Sequence, residues 1–167
     1  MKNIVIVGFM GTGKTVSTIA LSKQLGLRYV SIDKLIEKKE NRPIADIFAK
    51  NGEEYFRKIE SETVKEVSEE QGIAIDAGGG AVIKEENVKN LKKNGVIICL
   101  TARPDVILKR TKNQKHRPLL NVHDPKNKIE ELLAARSQYY KAADFTIDTS
   151  DLSVNEVAEE IKKIMHE

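Results

Sequence analysis

Gly8-Phe9-Met10-Gly11-Thr12-Gly13-Lys14-Thr15 follows the apolar run Ile4-Val5-Ile6-Val7 and precedes a helix-like segment from Val16 to Leu25. This is the G-x-x-x-x-G-K-[ST] pattern in a strand–loop–helix setting. Glycine at 8 and 13 lets the backbone turn tightly and bring several N–H groups onto phosphate oxygens with no Cβ in the way. The helix that follows points its positive dipole end at the same anion. Lys14 adds a cation for the β- and γ-phosphates, and the Thr15 hydroxyl can ligate Mg2+. The stretch therefore predicts a nucleoside-triphosphate site. The plainer alternative is a glycine-rich turn that only packs a helix closely on a strand.

The chain has 167 residues, the size of one domain with a full core. Its formal net charge is +3, with 32% charged and 40% hydrophobic residues, ordinary values for a globular enzyme. That charge is too small and too dispersed to suggest nucleic acid. Lys and Glu recur mostly at helical spacing and read as solvated helix faces. No run of about 18 apolar residues is present, so no membrane span is expected. The N-terminus enters the first strand at once, without the regions of a signal peptide. Cys99, the one cysteine, sits in an apolar run and reads as core. The expectation is a cytoplasmic enzyme, and a monomer, because no heptad seam or long apolar stripe asks for a partner.

Working outward from the loop, Arg28-Tyr29-Val30-Ser31-Ile32 reads as a second strand with Asp33 at its tip. Helical spacing covers Lys34 to Lys39, and Ile44, Ile47 and Phe48 suit a short helix ended at Gly52. Glu53 to Glu70 is a longer amphipathic helix. Gly72-Ile73-Ala74-Ile75-Asp76 is a short apolar strand with three glycines close behind it. Glu85 to Lys93 reads as a helix capped by Gly95, and Val96-Ile97-Ile98-Cys99-Leu100 as a central parallel strand. Pro104 to Thr111 opens a helix with proline at its first position. Lys112 to Lys126 turns polar, basic and aperiodic, a long loop of the kind that serves as a lid. Ile129 to Ala143 is helical, Phe145 to Asp148 is a last strand, and Val154 to Met165 closes the chain behind a Ser153/Glu156 capping box. Five strands alternating with helices predict an α/β fold, a parallel sheet covered on both faces. Ligands then belong at the C-terminal strand edges.

Four further groups stand out there. Asp33 either N-caps the next helix or faces the γ-phosphate, where a carboxylate orients an attacking hydroxyl or takes its proton. Arg57 and Glu60 stand three apart on one helix and can pair, as a surface ion pair or as part of a site. Gly78-Gly79-Gly80 after a buried strand is entropically costly, which points to a close approach to the backbone. The basic loop from Lys112 to Arg117, together with Arg136, is either solvated charge or reaches for phosphate or carboxylate.

Taken together these stretches resemble the shikimate kinase family, in the nucleoside-monophosphate-kinase-like branch of P-loop proteins. The resemblance runs in order over nearly the whole chain. It rests on the phosphate loop, Asp33, Gly52-Glu53-x-x-Phe56-Arg57-x-x-Glu60, Gly78-Gly79-Gly80, Arg117-Pro118-Leu119-Leu120, and Leu132-x-x-x-Arg136-x-x-x-Tyr140. The tail Asp144-Phe145-Thr146-Ile147-Asp148-Thr149 followed by a helix is also typical. The resemblance implies a three-layer α/β/α sandwich with a five-stranded parallel sheet in the order 2-3-1-4-5. It implies one domain over 1–167, with a substrate segment at about 33–60 and a lid at about 112–127. The reaction implied is transfer of the ATP γ-phosphate, with Mg2+, to the 3-hydroxyl of shikimate. Gly11, Thr12, Gly13, Lys14, Thr15 and Val16 would hold ATP. Arg110 would pack on adenine, the loop after Thr149 would border the base, and Arg117 would swing in from the lid. Asp33 would hold shikimate and orient its attacking hydroxyl. Arg57 and Arg136 would clamp its carboxylate, Glu60 would steady Arg57, and Gly78, Gly79 and Gly80 would line the pocket.

Two departures matter. The family usually carries Asp-x-Asp at the end of strand two, the first Asp serving the Mg2+ water shell, and this chain has Ser31-Ile32-Asp33. It also has Asp76 where a small hydroxyl or Ala is common. The expectation is that the metal-serving carboxylate has moved from position 31 to Asp76, close to Thr15. Alternatively, Asp76 only binds glycine-loop amides. A gluconate-type kinase shares the loop and the strand-two Asp, but it does not predict two arginines placed for a carboxylate. A GTPase switch matches Asp76-Ala77-Gly78-Gly79 loosely, and Asn127-Lys128-Ile129-Glu130 only approaches a guanine signature.

Overall fold

The apolar run beside the phosphate loop forms β1 (Asn3–Gly8), buried along its whole length. It pairs in parallel with β3 (Ile73–Asp76) on one side and β4 (Gly95–Thr101) on the other. Beyond them lie the edge strands β2 (Arg28–Ser31) and β5 (Phe145–Asp148), and the order is β2-β3-β1-β4-β5. The inner strands read apolar throughout because helices cover both of their faces, whereas the edge strands leave residues exposed. This computed structural model describes residues 1–112 and 122–167.

Strand alternation sorts the core into two layers. Ile4, Ile6, Ile98 and Leu100 face α1 (Lys14–Leu25) and α7 (Val154–His166), meeting Leu21, Val157 and Ile161. Val5, Val7, Ile97 and Cys99 face the other way. On that side stand α2 (Ile32–Glu40), α3 (Ile44–Ser68), α4 (Glu85–Asn94), α5 (Pro104–Thr111) and α6 (Pro125–Tyr140). The three-layer α/β/α arrangement is the one expected. Asn3 pins its start: it donates to the Glu70 carbonyl at 2.8 Å and accepts from the Ile73 amide at 3.1 Å, which sets β3 beside β1.

Several boundaries differ from the sequence reading. Ile32 belongs to α2 and not to β2, because the Ser31 side chain accepts the Lys34 amide and caps the helix there. Asp33 is therefore in the first helical turn, and its reading as an N-cap falls. Gly52 bends α3 with φ 83 and ψ 173, so the two expected helices join as one kinked element. Gly95 stands at the C-cap of α4 as expected, but its backbone is extended and it is also the first residue of β4. Helix α6 starts at Pro125, four residues before the expected Ile129, because Asp124 accepts the Asn127 amide and proline fits the first turn. The expected lid thus overlaps the first turn of α6, while 113–121, Arg117 included, lie outside the described residues. The Ser153/Glu156 capping box is formed as expected.

Candidate active site

All five strands point their C-terminal ends to one edge, where Gly8, Ser31, Asp76, Thr101 and Asp148 stand. The phosphate loop leaves this edge from β1. Gly8, Gly11 and Gly13 have φ of 140, 76 and 87, a region that L side chains rarely enter. At Gly8 a Cβ would also run into the Leu100 carbonyl. Thr12 Oγ1 donates to the Phe9 carbonyl at 2.7 Å, and Lys14 Nζ donates to the same oxygen at 3.2 Å. Val16, on the first turn of α1, is 54% exposed.

The loop is braced from behind. Arg110 donates to the Gly11 carbonyl at 3.2 Å, to the Thr149 carbonyl at 2.9 Å and to Thr149 Oγ1 at 3.1 Å. The Thr149 hydroxyl lies 3.1 Å from the Thr12 carbonyl and 2.9 Å from the Thr101 carbonyl, and its single proton serves one of them. Arg110 and Thr149 thus tie the end of β5 and helix α5 to the loop. Thr149→Val keeps the side-chain volume and removes this hydroxyl. We expect the KM for ATP to rise about threefold to tenfold, the size of one lost hydrogen bond, with the acceptor's KM unchanged. Initial rates against each substrate check it.

A second cluster forms around the three glycines after β3, and each has a different side chain against it. A Cβ on Gly78 would stand 2.9 Å from Asp33 Oδ1 and 3.4 Å from Glu60 Oε2. One on Gly79 would stand 3.2 Å from Arg136 Nη1 and 3.2 Å from the Gly8 carbonyl. One on Gly80 would press into the Arg57 guanidinium, 2.6 Å from Cζ. The entropic cost of three glycines is thereby explained: their missing side chains admit Asp33, Arg136 and Arg57 onto one short stretch of backbone.

These charged groups are held in turn. Arg57 pairs with Glu60 at 2.9 Å and Glu53 at 3.5 Å, and lies 5.2 Å from the Phe56 ring centroid. Glu60 is 1% exposed, so the surface-pair alternative fails. Burial raises the Glu60 carboxyl above its ordinary pKa even with Arg57 beside it. Arg136 stacks 5.6 Å from the Phe9 ring centroid, and the Tyr140 hydroxyl donates to the Gly79 carbonyl at 2.8 Å. Burial pushes the Tyr140 phenol up to about 12, so it stays a donor. Asp33 is half-buried, and its pKa is raised, first by burial and then by the nearby Asp76 charge. Cys99, buried under the loop, is pushed up to about 11 and is chemically quiet.

A third cluster sits under the start of α1. Thr15 Oγ1 donates to Asp76 Oδ2 at 2.7 Å, and the Tyr29 phenol donates to the same oxygen at 3.0 Å. Asp76 does not serve only glycine-loop amides. Among the described residues no group of three or more His, Cys, Asp or Glu gathers to cage a metal. A hydroxyl and a carboxylate beside a triphosphate loop do suit Mg2+, which takes few protein oxygens and keeps several waters. Asn127 to Glu130 lie in the first turns of α6, not after a strand, which removes the guanine-site reading.

Apart from Arg117, the expected residues fall into these clusters. Sequence reasoning gave no role to Tyr29, Tyr140 or the Thr149 side chain. Thr149 lies just past the C-terminal end of β5, which signalled the active edge, and Tyr140 stands one helical turn after Arg136, but Tyr29, near the start of β2, gave no such signal.

The comparisons with known proteins agree with this geometry. The family described as shikimate kinase matches residues 10–166. A shikimate kinase from Caldanaerobacter subterraneus subsp. tengcongensis is 49% identical over 96% of this chain and 94% of its own. One from Thermodesulfovibrio yellowstonii is 48% identical over 98% and 94%. The solved structure of a shikimate kinase from Acinetobacter baumannii, in complex with shikimate, superposes with a TM-score of 0.93 at 34% identity, covering 99% of this chain and 93% of that one.

Proposed function

This chain belongs to the shikimate kinase family, and we propose that it transfers the γ-phosphate of ATP to the 3-hydroxyl of shikimate with the residues above dividing the work. The observation that carries this reading is the convergence of Asp33, Arg57 and Arg136 on Gly78–Gly80, across from the phosphate loop. Two guanidinium groups beside one carboxylate suit a small acceptor that bears both a carboxylate and hydroxyls.

ATP lies with its phosphates in the amides from Gly11 to Val16, Lys14 neutralises their charge, and Arg110 borders the adenine. Asp33 accepts a hydrogen bond from the attacking hydroxyl. The oxygen bonds to the γ-phosphorus, the bond to the ADP oxygen breaks, and the hydroxyl proton passes to Asp33. Because phosphoryl transfer is mainly positioning and charge neutralisation, this division of roles is sufficient. Mg2+ would be held at Thr15 and, through its waters, at Asp76, where it supplies charge to the phosphate oxygens. Arg117 is assigned to closure over the phosphates by the family motif alone. Among the described residues no helix is long and apolar enough to cross a membrane, and we place a monomeric enzyme in the cytoplasm.

The deciding experiment is ADP release from Mg·ATP with shikimate, beside gluconate and a nucleoside monophosphate. Release that depends on shikimate alone is expected, and release with another acceptor reassigns the pocket. Arg136→Lys keeps the charge but loses the planar fork. It is expected to raise the KM for shikimate about tenfold, the cost of a charge-assisted hydrogen bond, and to leave that for ATP in place.

A further inference from the structure

The β2–β3 ladder holds one unit that the roles above leave unexplained. Ser31 pairs with Asp76 and Tyr29 with Ala74. Tyr29, Ser31, Ala74 and Asp76 therefore share one face of the sheet, because side chains alternate along each strand. That face lies under α1, whose Thr15 reaches Asp76. Across a ladder the diagonal neighbour is within reach of an aromatic side chain. Tyr29 uses that reach: its ring starts opposite the small Ala74, and its phenol arrives at Asp76 Oδ2, 3.0 Å away. The same phenol neighbours the Ser31 and Thr15 hydroxyls. Asp76 is 7% exposed, so both donors hold it in a tight space.

We propose that Tyr29 is a positioning residue for metal handling, its phenol fixing the Asp76 carboxylate on Thr15 so that a cross-strand pair replaces a carboxylate at position 31. Position 31 carries a hydroxyl that caps α2 instead. The carboxylate stands directly opposite it on the neighbouring strand, and Tyr29 fills the edge beside both. Asp76 accepts the Thr15 proton, which would leave the Thr15 oxygen lone pairs available to a cation. Partners that orient a ligand in this way commonly set metal affinity. The inference rests on the reading of Asp76 given under Proposed function, and its own failure can be told apart from the failure of that reading.

The test is binding of Mn2+ to the full-length enzyme with ADP, read from the spin-resonance signal of free Mn2+, beside ADP affinity without metal. Asp76→Ser should weaken Mn2+ about 10- to 100-fold, as loss of an orienting partner does. Tyr29→Phe should weaken it about threefold to tenfold, one hydrogen bond's worth, with metal-free ADP affinity unchanged in both. The double variant should match Asp76→Ser alone, because Tyr29 acts through that carboxylate. Ser31→Asp in the Asp76→Ser background should restore most of the loss. A silent Tyr29→Phe beside a weakened Asp76→Ser overturns the role of Tyr29 and leaves Asp76 standing. Additive losses in the double variant also overturn it. If Asp76→Ser changes Mn2+ binding no more than Asp105→Ser on the surface, the metal reading of Asp76 falls and Tyr29 with it.

Discussion

Asp33→Asn is expected to lower kcat by about 10²- to 10⁴-fold, the range spanned by loss of a positioned proton acceptor, while the protein becomes harder to unfold. Both signs follow from one environment. Asp33 stands in the first turn of α2, half-buried, with Gly78 and Glu60 on one side and the Asp76 charge close by. Burial and the Asp76 charge raise its carboxyl above the ordinary 3.8, while Lys14 and Arg57 pull it part of the way back. The ionised form, which the proposed role of Asp33 as proton acceptor requires, is therefore disfavoured in the free enzyme. The acid limb of kcat/KM for shikimate should lie above the range of an ordinary carboxylate, and the Asn variant should lose that limb.

Folding stability follows the same proton. Between 3.8 and the raised native value, the folded chain keeps a proton at position 33 that the unfolded chain has released. Stability thus falls as pH rises through that interval and stays lower above it. Asparagine carries no such penalty, so Asp33→Asn should melt at a higher temperature than the parent at neutral pH and show no advantage below 3.8. Loss of activity with a gain in melting temperature is the outcome expected of a charge held in place for chemistry. Loss of both would assign Asp33 to the packing of α2 against the glycine turn instead.

The sheet and the phosphate loop were legible from sequence because both are written in short, local stretches. Ile4 to Val7 and Val96 to Leu100 are apolar without interruption, and the Gly-Lys-Thr spacing carries its own geometry. The order of the strands came from the family resemblance, not from periodicity. What could not be read is what depends on partners far along the chain. Tyr29 meets Asp76 across 47 residues, Tyr140 meets Gly79 across 61, and Arg110 meets Gly11 across 99. No window of periodicity spans such distances. The start of α6 was missed for a different reason. Asp124-Pro125 is both a loop-like dipeptide and a helix start, and only the bond from the Asn127 amide decides between them. The Asp33 cap failed in the same way, since Ser31 two residues earlier was free to take that role. The three glycines were singled out correctly, although the side chains that approach them belong to three different helices.

Gly80→Ala tests that approach with a single methyl, and its expected result is a loss of about 10²-fold in kcat/KM for shikimate with the KM for ATP unchanged. At Gly8 or Gly13 an alanine would meet a positive φ, and the result would mix backbone strain with everything else. Gly80 has no such conformation, so the added methyl acts through its bulk alone. Its nearest neighbour is the Arg57 guanidinium, at a separation that real Cβ atoms essentially never show, so the arginine must move. It is not free to move cheaply: Glu60, 1% exposed, holds Nη1 at 2.9 Å, Glu53 stands 3.5 Å from Nε, and the Phe56 ring lies beneath. Displacing the fork either breaks a buried ion pair or drags Glu60 from its place. A shift of about 1 Å in a positioning group is enough to cost two orders of magnitude in rate. Gly79→Ala should be milder, because its contacts at 3.2 Å ask Arg136 and the Gly8 carbonyl to give only a few tenths of an ångström. A Gly80→Ala enzyme with native shikimate kinetics would mean that Arg57 works from another position than the one it occupies here. A variant that loses ATP affinity instead would mean that the glycine turn supports the phosphate loop, not the acceptor.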